Sequence, residues 1–97
     1  MRTVKFLSEA EVEIRDSVLW YNLQQEGLGL EFVRCVDECI ERIKRAPELY
    51  PKVHYHLRRS VVKRFPFIIM YDFTETEILV YAVFHSKRNP KKLIKRR

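Results

Sequence analysis

The chain has 97 residues, of which 46% are hydrophobic and 33% charged, a globular composition that excludes a disordered chain and leaves room for one domain, 1–97. No apolar run reaches the roughly 18 residues that a membrane span needs. The net charge of +6 is unevenly placed, with seven Lys/Arg against ten Asp/Glu in residues 1–49 and twelve against three in residues 50–97, so the back half is expected to face something acidic.

Residues 2–7 alternate polar and apolar at Val4 and Phe6, the pattern of a short half-buried strand. Ser8 and Glu11 have capping-box spacing, and Leu7 and Val12 have that of a hydrophobic staple, so a helix is expected to open at Ser8. Glu9, Glu11 and Glu13 crowd its first turns, where the helix dipole favours acids. Ala10, Ile14, Val18 and Tyr21 supply one apolar stripe. Gly27 is the expected stop. A second helix is predicted from Gly29 to Ala46, ended by Pro47, with Phe32, Val36, Cys39, Ile40 and Ile43 on its inner face. The short link makes the two helices an antiparallel hairpin. Cys35 and Cys39 share one helical face at a spacing unsuited to a disulfide, and are read as reduced apolar filler.

The Pro47 to Pro51 stretch is a turn-rich crossing. Val53, Tyr55 and Leu57 alternate with His54, His56 and Arg58, which reads as one strand. Residues 65–71 are apolar and β-prone, with Pro66 at the start where a missing N–H is tolerated. Thr74, Glu75 and Thr76 read as a hairpin connection. Residues 78–84 form a last strand that is apolar on both faces. Residues 86–97 hold seven Lys/Arg and no acid, a basic C-terminal tail. The fold class is therefore α+β, in the order β-α-α-β-β-β. A mainly antiparallel sheet carries the helical hairpin on one face and wetter Arg and His side chains on the other.

Three stretches carry a resemblance across essentially the whole chain. They are Trp20-Tyr21 with Gly27-Leu28-Gly29-Leu30-Glu31-Phe32; Ile43-Lys44-Arg45-Ala46-Pro47-Glu48-Leu49-Tyr50-Pro51; and Arg58-Arg59, Arg64-Phe65-Pro66-Phe67-Ile68-Ile69-Met70-Tyr71 and Val83-Phe84-His85-Ser86-Lys87-Arg88-Asn89-Pro90. In that order and spacing the chain resembles the ParE/RelE toxins of bacterial type II toxin–antitoxin systems. The resemblance implies a cytoplasmic toxin neutralised by a cognate antitoxin in a hetero-oligomer, and no cofactor. The lack of an apolar signal region after residues 1–5 fits the same location.

The two branches of the family differ in target. RelE-like members cut mRNA on the ribosome without a metal, which requires a proton acceptor for the 2′-hydroxyl, an acid for the leaving oxygen and cations for the developing charge. If this chain were such an endoribonuclease, Arg59, Arg64, His85 and Arg88 are the catalytic candidates. However, Ser86 follows His85, and no tyrosine follows Tyr81 to complete a His–Tyr pair. The ending Arg88-Asn89-Pro90-Lys91-Lys92-Leu93 is similar to the ParE-type Arg-x-Pro-x-x-Trp, with Leu93 in place of the aromatic residue. The ParE-like reading, a non-enzymatic inhibitor of DNA gyrase, is therefore favoured over ribosome and mRNA as targets. A non-toxic nucleic-acid-binding module is the other alternative.

Candidate target-binding residues are Arg58, Arg59, Lys63, Arg64, His85 and Arg88. Arg64 is also placed to pair with an acid on the first helix, and His85 has the bland reading of an ordinary strand-end histidine. Trp20, Tyr21 and Phe67 are candidates for antitoxin contact, with helix–sheet packing as the plain alternative. His54 and His56 would share a strand face but lack a third ligand, so no metal is expected.

Overall fold

A computed structural model describes residues 2–88. The tail motif from Asn89 onward, and most of the 86–97 tail, lie outside the described residues. The elements run β1 (Thr3–Phe6), α1 (Ser8–Gln24), α2 (Leu28–Arg45), a 3-10 turn (Pro47–Leu49), β2 (Lys52–His54), β3 (Leu57–Val61), β4 (Phe67–Phe73) and β5 (Glu77–His85). One five-stranded sheet has the order β1-β5-β4-β3-β2. Only the β1–β5 pair is parallel, with Phe6 opposite Val80; the helical hairpin carries the chain from β1 to β2 at the far edge, and the antiparallel strands step back until β5 lies beside β1. No helix among the described residues is long and apolar enough to cross a membrane.

Most of the expected elements form, and their ends show what sequence spacing misses. The capping box at the start of α1 is absent: Leu7 is the N-cap with no side-chain cap, and the Ser8 hydroxyl donates instead to Glu9 Oε1 at 3.2 Å. The staple is absent too, because Leu7 packs behind the sheet and Val12 is exposed. Gly27 does not end α1 but opens α2, as its N-cap at φ 86. That left-handed step costs glycine little. Two residues later the helices nearly touch. The Gly29 N–H donates to Asn22 Oδ1 at 2.8 Å, and a Cβ on Gly29 would sit 2.7 Å from the Val18 carbonyl oxygen.

The stretch through Val53, Tyr55 and Leu57 is not one strand. It folds back at Tyr55, where φ is 51, giving the separate strands β2 and β3. His54 and His56 therefore do not share a strand face, and His56 Nε2 lies 3.2 Å from Asp72 Oδ2 on β4. β4 and β5 form the long central hairpin, with a register shift where Met70 faces Ala82 and Tyr71 faces Val80. Tyr81 is the extra residue of that bulge.

The main core lies between the helices and the sheet and contains Phe32, Cys39, Ile43, Ile69, Tyr71, Ile78 and Val80. Cys35 and Cys39 are both free and buried. One end is aromatic: the Phe32 ring lies 5.4 Å from that of Phe65 and 4.8 Å from that of Phe67. The expectation of a wet rear sheet face is corrected. Leu57, Met70, Tyr81, Ala82 and Phe84 form a second buried apolar cluster there, with Leu7 and Ile68 against it. β4 and β5 carry apolar side chains on both sides, and Arg59, opposite Met70, keeps the predicted basic character.

Candidate functional site

The α1 helix is apolar on two sides. Its inner stripe, Ala10, Ile14, Val18 and Tyr21, packs on the core. Its outer positions Val12, Leu19, Trp20 and Leu23 are also apolar yet exposed, Trp20 by 55% and Leu23 by 84%. α2, by contrast, has one apolar face, and Phe32, Cys35, Val36, Cys39, Ile40 and Ile43 on it are all buried, with Leu30 its one large apolar residue left exposed. A helix that leaves a second apolar stripe in water has surface to give to a partner.

That stripe borders a cavity of about 560 Å³, lined by Asp16, Ser17, Trp20, Tyr21, Pro66, Phe67 and His85. Its wall is aromatic: Trp20 meets Tyr21 edge-on at 5.1 Å, Tyr21 lies 6.1 Å from Phe67, and Phe67 lies 5.6 Å from His85. Burial pushes the Tyr21 hydroxyl pKa up. A second depression, lined by Ser8, Glu9, Val12, Glu13, Asp16 and Arg88, continues along the same flank, with Asp16 common to both. Together they make one groove with an apolar end and a charged end.

The sheet explains why the groove exists. Pairing of β1 with β5 stops at Val80, where the Leu7 N–H donates to the Val80 carbonyl. The last residues of β5 therefore have a strand neighbour, β4, on one side only among the described residues. Glu13 of α1 reaches in to accept the Val83 N–H at 2.9 Å. Arg88 Nη1 lies 3.5 Å from the same carboxylate.

The structure brings together the three antitoxin-contact candidates, Trp20, Tyr21 and Phe67, and adds His85 to them. The target-binding candidates are dispersed. Arg58 points inward: its Nη1 donates to the carbonyls of Glu48 and Tyr50 at 2.9 and 2.6 Å, its guanidinium lies over Phe73, and its Nε is buried without a protein partner. Beside it the Tyr71 hydroxyl donates to the Pro47 carbonyl at 2.6 Å. Burial raises the Tyr71 pKa well above the ordinary tyrosine value, and the Arg58 charge offsets part of that.

Arg59 is exposed on the rear face, and Lys63 is exposed in the β3–β4 loop. Arg64, at φ 73, reaches Glu31 of α2 at 3.5 Å, so its acidic neighbour is on the second helix and not the first. His85 accepts the Lys87 N–H on Nδ1 at 3.1 Å. It pairs with Phe67 and so faces the helices, away from Arg59. Tyr81 is 2% exposed, within the rear cluster. Among the described residues no group of three or more His, Cys, Asp or Glu could hold a metal.

Sequence reasoning missed Val12, Leu19, Leu23, Glu13, Asp16 and Pro66. The signal for the apolar three was present: they fall outside the inner stripe of α1. The role of Glu13 depends on where β1 stops pairing, which no local pattern reveals.

No curated protein matches this sequence. Among solved structures, the chain is similar to one described as the chromosomal ParDE TA system from P. aeruginosa. The TM-score is 0.76 at 16% identity, covering 88% of this chain and 96% of that one, a likeness of fold. A family model for the ParE toxin of the type II toxin–antitoxin system parDE matches residues 4–90, and the chain belongs to that family.

Proposed function

We propose that this ParE-family chain is neutralised by an antitoxin whose segment lies in the α1 groove, and that the freed toxin inhibits DNA gyrase without being an enzyme. The observation that carries the first part is the apolar stripe of Val12, Leu19, Trp20 and Leu23, left exposed beside an aromatic-walled cavity. A segment with apolar anchors at helical spacing would bury that stripe as an amphipathic helix does in a groove. Trp20, Tyr21 and Phe67 would form its anchor pocket.

The gyrase reading is supported by the family and by the state of the residues that RNA cleavage would use. Tyr81 is buried behind the sheet, and Arg59 and His85 sit on opposite sheet faces. Arg59, Lys63, Arg64, His85 and Arg88 remain the proposed target contacts, and Arg58 acts by holding the chain between α2 and β2 in place. The test is induction in cells with and without the neighbouring antitoxin gene, followed by DNA topology and mRNA integrity measurements. Relaxed plasmid with intact mRNA is expected, reversed by the co-purifying antitoxin. Ribosome-dependent mRNA cuts with normal supercoiling would replace this reading with the endoribonuclease one.

A further inference from the structure

The tip of the β2–β3 hairpin belongs neither to the groove nor to the core, yet it is built at some cost. Tyr55 at its tip is 82% exposed and held at φ 51, a left-handed conformation that glycine or asparagine would adopt with less strain. The His54 and Tyr55 rings meet at 4.4 Å and 70°, so the tip presents two aromatic rings. The turn is anchored to β4 through His56 and Asp72. Residues 49–71 contain five Lys/Arg and no Asp or Glu, bounded by Glu48 and by the Asp72 that holds His56. Arg58 is consumed internally, but Lys52 and Arg59 flank the hairpin and are exposed.

This chemistry selects among partners. β2 is only three residues long and preceded by Pro51, a poor edge for adding a peptide strand. The exposed apolar residues of the tip are Val53 and Tyr55, little for a protein interface to bury. An exposed ring on a hairpin that carries one exposed cation on each face, Lys52 beside Arg58 and Arg59 opposite, instead matches a base-stacking platform with phosphate contacts on either side. We propose that the β2–β3 hairpin binds single-stranded nucleic acid, with Tyr55 stacking on a base and Lys52 and Arg59 contacting phosphates.

The proposal shares Arg59 with the proposed target surface, and it is tested without antitoxin or gyrase present. Fluorescence anisotropy of a labelled oligothymidylate, titrated with the purified full chain, is expected to show binding that weakens steeply with salt and exceeds that of a duplex of equal length. Tyr55→Ala should weaken it about tenfold. Tyr55→Phe should retain it, and Arg59→Ala should flatten the salt dependence. Thermal unfolding of all three variants should match the wild type, because both side chains are exposed. Absence of binding at low salt would overturn the proposal. So would wild-type affinity in Tyr55→Ala.

Discussion

Glu13, on the second turn of α1, accepts the backbone N–H of Val83 on β5 at 2.9 Å. This side-chain contact replaces a strand neighbour that β1 is too short to provide, and it pins α1 at the groove. Val83 is buried, so removing the acceptor leaves its amide without a protein partner. Glu13→Ala should therefore cost about 1–3 kcal/mol, read as a lower urea midpoint. Glu13→Gln, which keeps an acceptor oxygen, should recover most of that loss. Equal stability in all three chains would show that the contact contributes nothing.

Gly29→Ala separates helix propensity from packing. In an exposed helix interior, alanine gains about 1 kcal/mol over glycine. Here the new Cβ would lie 2.7 Å from the Val18 carbonyl oxygen, a backbone atom that moves only if the helices separate. The net effect should be destabilising by about 1–3 kcal/mol, measured by denaturant unfolding. A stabilised variant would mean the hairpin tolerates a wider crossing.

The Tyr71 hydroxyl should give stability an alkaline limit. Its pKa is raised in the fold, chiefly by burial, so the unfolded chain ionises first, near the ordinary value of about 10. The stabilisation is fully present below that pH and is lost as pH rises above it. Tyr71→Phe should lose stability at neutral pH, because the Pro47 carbonyl loses its donor, but should fall less steeply above pH 10. Parallel curves for the two proteins between pH 8 and 11 would contradict this.

The sequence revealed the order of elements and the inner faces of both helices, because those follow from periodicity and from the punctuation at Gly27 and Pro47. It did not reveal the split at Tyr55, since alternation runs unbroken from Val53 to Leu57 and nothing local marks the left-handed residue. It did not reveal that Arg58 and Arg59 part company either. Neighbours on a strand point to opposite faces, and which face was open depended on the rear cluster of Met70 and Phe84. For the groove, Trp20, Tyr21 and Phe67 were legible as candidate antitoxin contacts, with helix–sheet packing as the alternative. The charged end was not, because it depends on where β1 ends.

Arg58 and Arg59 should therefore behave differently under the same substitution. Arg58→Ala removes two hydrogen bonds to the carbonyls of Glu48 and Tyr50 and the contact with Phe73. It should destabilise the fold by about 1–3 kcal/mol and lower activity through loss of folded protein. Arg59→Ala should leave the unfolding midpoint unchanged, as is usual for exposed positions, while reducing growth inhibition. The comparison needs melting curves and an induction assay on both variants. A stable, fully toxic Arg59→Ala would remove Arg59 from the target surface.

Trp20→Ala tests the groove directly. Trp20 packs edge-on against Tyr21 but is more than half exposed, so its removal should cost the free toxin under about 1 kcal/mol. In the complex, the same ring would form one wall of the anchor pocket, where truncating an aromatic residue commonly costs about 2 kcal/mol or more. Calorimetric titration with the co-encoded antitoxin should thus show affinity weakened by about thirtyfold or more at nearly unchanged thermal stability. Leu23→Ala, farther from the cavity, should show a smaller loss in the same direction. If both variants bind as the wild type does, the antitoxin lies elsewhere, and the exposed stripe of α1 needs another occupant.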